Sequence, residues 1–384
     1  MLRKIILSFV AFVAFATVNA QDGSNRLRIS LLTCGPGDDE VWEVFGHSGV
    51  RVYDSLNHSD IVYNYGTFEF GPDFELQFMR GKLLYCSAIQ TYKEFMEEYV
   101  ESGRSVEEQV LLLDYKQTEH LNYFLRWNAE PENKYYKYDF FFDNCATRIR
   151  DIFPRPEIFG KKFQFGNVVP PGKPTFRDII NKYFYSFHWT RTGVNILLGS
   201  RIDKVMTNKD IMFLPDYLRD GLAGATVNGQ KIAADKVTVL SGNPRPPTGT
   251  DWPLMLTIGI AIVSIAGLSV KRLALLGKIM SVLLLLVTGL LGCLILVMWF
   301  GTDHQGCSNN FNILWCLPLN LFIAFFNPKG KGKYAAIAML LIMVSLVLHV
   351  AKVQGLIIEF IPILVALLFV YSAIYRKSRL KKMA

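Results

Sequence analysis

Cysteine is scarce in this 384-residue chain, and its placement limits what the protein can be. Of six cysteines only Cys34, Cys86 and Cys145 precede the apolar C-terminal third, so at most one disulfide can form among them and one thiol stays unpaired. No His/Cys spacing suited to a transition metal occurs, and Asp38, Asp39, Glu40 and Glu43 read as a solvated acidic loop; neither a metal nor another cofactor is expected. Internal repeats and low-complexity segments are missing too. Between residues 21 and 250, 27 Lys and Arg face 30 Asp and Glu, so the net charge of +8 arises elsewhere and a nucleic-acid partner has no support.

What the chain has in excess is apolar sequence, 51% hydrophobic residues gathered at its two ends. MLRKIILSFVAFVAFATVNA has the basic start, apolar run and small-residue ending of a secretory signal peptide, cleaved before Gln21. No lipidated cysteine follows it. From Trp252 onward, apolar runs near 253–270, 280–300, 311–326, 334–350 and 356–375 approach the roughly 17–25 residues a membrane span needs, the third marginally. Lys271, Arg272 and Lys278, then Lys329, Lys331 and Lys333, then the tail YRKSRLKKMA alternate with GTDHQGCSNN, which has no Lys or Arg, and AKVQG, which has one. The positive-inside rule puts the basic loops and the C-terminus in the cytoplasm. Five spans then leave residues 21–251 outside, where the signal peptide would send them.

That outer portion reads as one α+β domain. LRISLLT, SGVRVYD, DIVYNYGTF, LLYCSAIQ and VEEQVLLLD have strand patterns. DFELQFMRG, YKEFMEEYVE, TEHLNYFLRWNAE and NCATRIRDIF read as helices, the last stopped by Pro154. A Pro/Gly-rich connector, FGNVVPPGKPT, leads to a second, helical part, and SGNPRPPTGTDWP links to the spans.

Cys145 in FFFDNCATRIRDIF stands where a strand-like run turns into a helix. Free N–H groups and the positive end of the helix dipole favour a thiolate in a first turn, and the same N–H groups can hold an oxyanion. His47 in FGHSGVRVYD, at a strand mouth between glycines, is the best candidate base. From the residues alone, the two remain open between a catalytic pair and packed core residues. Cys34 has acidic neighbours that would raise its pKa, and Cys86 reads as core packing within a strand.

FGHSGVRVYD, YNYGTF, FFFDNCATRIRD and MFLPDYL, in that order and followed by an apolar tail, resemble the Lnb-type lipoprotein N-acyltransferases. The resemblance implies a circularly permuted papain-like (NlpC-type) extracytoplasmic domain over 21–251 and a five-helix transmembrane domain over 252–384. Carried onto matching positions, it makes Cys145 the nucleophile and His47 its partner, with Asn64 orienting the imidazole as in a papain-like site. Tyr65, Asp143 and Asn144 compete for the orienting role, Asn144 equally reading as a helix cap, and Ser48 is a further orienting or oxyanion-supporting candidate. The partners implied are a membrane phospholipid as acyl donor and diacylated lipoproteins as acceptors, at the periplasmic face of the cytoplasmic membrane. Phe140, Phe141 and Phe142 are candidates to line an acyl groove. His304, Asn310 and Asn312, in the polar loop between the second and third runs, are candidates to meet substrate at the site's mouth. Glu359 inside the last run requires a partner or a proton. The competing readings are a membrane-tethered peptidoglycan peptidase or amidase and a non-catalytic scaffold; five spans suit an enzyme with lipidic substrates better than a wall hydrolase.

Overall fold

The computed structural model describes residues 26–383 apart from 41, 161, 246 and 327. The expected signal peptide, residues 1–20, lies outside the described residues. Seven antiparallel strands form the main sheet: β1 (Leu27–Cys34), β2 (His47–Asp54), β3 (Ser59–Phe68), β4 (Leu84–Thr91), β5 (Val106–Val110), β6 (Tyr135–Lys137) and β7 (Val237–Leu240). Their order is β7-β5-β1-β2-β3-β4-β6. The five runs expected as strands are β1 to β5; β6 and β7, of three and four residues, are too short for alternation to show.

Period-two alternation gives this sheet two buried faces. Leu31 and Tyr63 face one way, onto helices carrying Leu121, Leu125 and Ile149, while their neighbours Leu32 and Val62 face the other, onto Phe95 and Tyr99. Four helices accompany the sheet: α1 (Phe74–Met79), α2 (Tyr92–Glu101), α3 (Tyr115–Asn128) and α4 (Cys145–Arg150). Capping boxes Thr91/Glu94 and Asp114/Gln117 start α2 and α3 by satisfying N–H groups that a first turn leaves unpaired.

The helical part follows as α5 (Phe176–Tyr183), α6 (His188–Leu197) and α7 (Pro215–Ala223). Here one expectation changes. The FFFD run before Cys145 is a turn rather than a strand: Asp139 Oδ1 accepts from the N–H groups of Phe141 and Phe142, and Asp139 and Asp143 exchange backbone hydrogen bonds. Its aromatics join the sheet to the helical part. Phe141 is buried with its ring 5.7 Å from Phe176, and Phe140 lies 4.6 Å from Phe45. Phe141 is buried in a core cluster, and Phe140 and Phe142, partly buried, pack against it.

Beyond Asp251 the chain forms a helical bundle: α8 (Trp252–Ser269), α9 (Ala274–Phe300), α10 (Asn320–Phe325), α11 (Lys331–Val350) and α12 (Ile361–Met383). Among the described residues four helices are long and apolar enough to cross a membrane, α8, α9, α11 and α12. The third run differs from the expected spanning helix. It is a 3-10 turn at Phe311–Leu314 followed by the six-residue α10. Pro318 lacks an N–H and disfavours helix at Leu317, which breaks the run. The asparagine that follows the break has its side chain satisfied inside the protein, as lipid surroundings demand. Asn320 donates to Thr288 and accepts from Tyr334 and Tyr371. At the start of this broken segment Asn310 meets Ile196, and just after it Gly332, in α11, faces Ser378 of α12. Among the described residues the bundle thus has four long apolar helices, with the broken segment between the second and the third.

The two portions are fastened by buried polar contacts. Asn310 donates to the Ile196 carbonyl, and Asn312 to those of Asn195 and Ile196. Gly199 passes so close that a Cβ there would lie 2.0 Å from the Ser308 carbonyl oxygen, which no side chain permits. Glu359, fully buried, accepts from Arg191, which also bonds Asp251 (2.6 Å). Arg191→Ala leaves that carboxylate buried without a cation, so a loss of roughly 3–5 kcal/mol is expected, read as a lower melting temperature in detergent.

Candidate active site

His47 is the first residue of β2 and pairs with Cys34 of β1. One strand over, Asn64 lies opposite Gly49, where a Cβ would come within 3.1 Å of Asn64 Oδ1; glycine leaves space for the Asn64 amide. His47 Nε2 lies 3.1 Å from Asn64 Oδ1, and Asn64 Nδ2 donates to Gln90 Oε1 on β4 at 2.8 Å. A carbonyl oxygen only accepts, so His47 carries a proton on Nε2 and turns Nδ1 to its other partner. That partner is Cys145, with which the imidazole hydrogen-bonds.

The cysteine is delivered by a rigid turn. Asn144 Oδ1 accepts from the Thr147 N–H, Thr147 Oγ accepts from the Asn144 N–H, and Asn144 Nδ2 donates to the Phe140 and Phe213 carbonyls. With its amide fully engaged, Asn144 is the cap of α4 and does not touch the imidazole. Opposite the cysteine, β3 bulges at Gly66, whose φ of +89° is strained for any other residue. A Cβ at Gly66 would touch Cys145 Cβ and Tyr138.

Electrostatics separate this thiol from the other two in the sheet domain. Burial pushes Cys145 up, but the neighbouring His47 charge, its hydrogen bond and the N–H groups of Ser48 and Ala146 outweigh it and hold the thiol below its ordinary value. Burial likewise pushes His47 down, yet the thiolate beside it and the bond to Asn64 raise it overall. The pair favours thiolate and imidazolium together. Cys34, by contrast, is pushed up to about 12 by burial, and burial also raises Cys86. Both are free thiols, on strands separated by two others, about 14 Å at normal strand spacing. They form no disulfide. Cys86→Ala is expected to keep the reactivity of Cys145, measured as the rate of thiol alkylation, and to cost only about 1 kcal/mol.

The remaining candidates sit elsewhere. Asp143 forms a bidentate ion pair with Arg148, and burial nonetheless raises its carboxyl above the usual range. Tyr65 is buried and donates to Asn128 at 2.9 Å. Ser48 contributes its N–H, while its buried hydroxyl has no partner among the described residues. His304 Nε2 contacts the carbonyls of Phe78 and Met79 at the end of α1, and Asn310 and Asn312 are fully buried in the joint. Of the residues expected at the site, His47, Asn64, Cys145 and the Ser48 backbone are brought together. Asp143, Asn144 and Tyr65 surround them without facing the imidazole.

Three contributors were not anticipated. Gln90 fixes the Asn64 amide, Gly66 opens the space before the sulfur, and buried Arg104, paired with Glu43, opposes protonation of His47. Only the register of β3 on β4 brings Gln90 near Asn64, and a strand pattern does not carry register across sequence distance. No group of three or more His, Cys, Asp or Glu suited to a metal exists among the described residues.

Residues 14–181 match the family model of the Lnb N-terminal periplasmic domain, and residues 247–382 match that of the Lnb transmembrane domain. No curated protein and no solved structure matches the chain.

Proposed function

The chain belongs to the Lnb family, an inner-membrane multi-pass architecture associated with lipoprotein maturation, and from that premise we propose that it is a lipoprotein N-acyltransferase working through a Cys145 thioester. The observation that carries this reading is the Cys145–His47–Asn64 line, with a lowered thiol and a raised imidazole, built on a domain fastened to one end of an apolar helical bundle.

The division we propose is a signal peptide over 1–20, a periplasmic papain-like domain over 21–251 and a membrane domain over 252–384 crossing five times, with its C-terminus in the cytoplasm. Cys145 Sγ attacks the carbonyl carbon of a phospholipid acyl ester, and backbone N–H groups at the start of α4 hold the oxyanion. The C–O bond breaks as His47 gives its Nδ1 proton to the departing lysophospholipid oxygen. The α-amino group of a diacylated lipoprotein's N-terminal cysteine then attacks the thioester. His47 takes the amine's proton, the C–S bond breaks and an amide remains. Asn64, anchored by Gln90, holds the ring through both steps. The membrane domain keeps the thiol where both lipids already lie, replacing diffusion by proximity.

The test is mass spectrometry of the full-length protein in phospholipid micelles. The expected result is one acyl chain on the Cys145 peptide, released by hydroxylamine and moved to a diacyl lipopeptide on its addition. An unmodified Cys145 while lipopeptide is still N-acylated would overturn the thioester; cleavage of peptidoglycan stem peptides without acylation would favour the wall-hydrolase reading.

A further inference from the structure

The connection between β3 and β4 carries an apolar surface that the mechanism above leaves unused. Helix α1 buries none of its six residues. Phe70 is 80% exposed, Met79 59% and Phe78 46%, and Phe74 joins the two phenylalanines by ring contacts. Its position is fixed by the membrane domain. Asp303 N–H donates to the Arg80 carbonyl at 2.9 Å, Asp303 pairs with Lys137 at 2.6 Å, and His304 bonds the last carbonyls of α1. These two residues follow the end of the apolar helix α9 at Phe300 by only a few positions. The patch therefore lies level with the end of a membrane-spanning helix, where Trp299 and Phe300 stack as an interfacial pair. Arg80 and Lys82 beside it suit anionic headgroups.

From this patch an aromatic strip leads inward. Phe78 stacks on Phe74 (6.0 Å), Phe74 on Phe68 (5.3 Å), Phe68 meets Tyr85 edge-on (5.3 Å), and Tyr85 stacks on Tyr138 at 4.1 Å. Tyr138 and Cys145 flank the same bulge at Gly66. We infer that α1 and this strip form the donor-lipid subsite: α1 rests in the outer lipid–water interface, and the acyl chain of a membrane phospholipid is drawn along the strip until its ester carbonyl reaches Cys145. This inference rests on the acyl-transfer reading for its chemistry, but chain binding can be measured without any transfer.

The experiment uses full-length Cys145→Ala protein in vesicles of phosphatidylethanolamine and phosphatidylglycerol, doped with phosphatidylethanolamine bearing a diazirine midway along one acyl chain. A chain resting in the bilayer holds that position inside the hydrocarbon layer, among α8 to α12. The subsite requires photo-crosslinks to peptides containing Phe68, Tyr85 or Tyr138 as well, reduced at least about tenfold by Phe70→Asp with Phe78→Asp. Both positions are exposed, so the melting temperature should change little. Crosslinks confined to the membrane helices overturn the subsite, whatever the adduct test on Cys145 returns. Crosslinks on the strip with no acyl adduct in the wild-type protein keep the subsite and overturn the transfer reading alone.

Discussion

Replacing Cys145 by alanine is expected to abolish conversion of diacyl to triacyl lipoprotein, lowering the rate by at least about 10³-fold, with no hydroxylamine-labile acyl group on the protein. The size of the effect follows from the proposed chemistry, in which Cys145 alone forms the covalent intermediate. Cys34 and Cys86 cannot substitute, since both are buried and burial raises their thiols. Cys145 is partly exposed at the helix start, and the turn that presents it is held by Asn144, Thr147 and Asp139. The variant should therefore fold, and its melting temperature is the control. Full activity of Cys145→Ala in lipoprotein mass spectra would exclude the mechanism.

His47→Ala is expected to cost about 10²–10⁴-fold and to change the pH dependence of the thiol itself. Without the imidazole, burial remains as the dominant influence on Cys145, so the midpoint of alkylation should move from below to above the ordinary thiol value. In the intact protein the thiolate–imidazolium pair gains population as pH rises through the lowered thiol pKa. It loses population as pH rises further through the raised His47 pKa. A bell-shaped profile should thus have an alkaline limb above 6.5, the ordinary imidazole value. Asn64→Ala removes a bond that raises His47, so this limb moves toward lower pH, together with a loss of about 10²-fold from the misplaced ring. An alkaline limb unmoved in Asn64→Ala would show that the Asn64 bond does not hold the proton on His47.

Much of the sheet was legible because β1 to β5 have alternating or β-branched runs with clear turns between them, and α2 coincides with YKEFMEEYVE. The FFFD run misled because aromatics are common in strands, whereas here an aspartate at each end closes a turn and the rings fill a junction between subdomains. The third apolar run misled for a related reason. Hydropathy reports where a segment lies, and Pro318 with its asparagine neighbours decides whether it is one helix. At the site, residue type and neighbours left His47 and Cys145 open between a catalytic pair and core residues, and the resemblance singled them out together with Asn64. Gln90 depends on cross-strand register, and the aromatic strip joins β3, α1, β4 and the segment after β6, which no local window contains.

The buried joint around Asn310, Asn312 and Gly199 has a consequence for selectivity. A tether of that kind works as a spacer of fixed length between the bilayer and the sulfur, so on the proposed reading the enzyme measures depth. Esters at one height above the lipid tails come into register with Cys145, and tail length changes how far the chain extends along the strip without changing that height. Donors that differ only in the number of methylenes beyond the strip should then be consumed at similar rates, while moving the reactive ester a few ångströms up or down the lipid should stop the reaction.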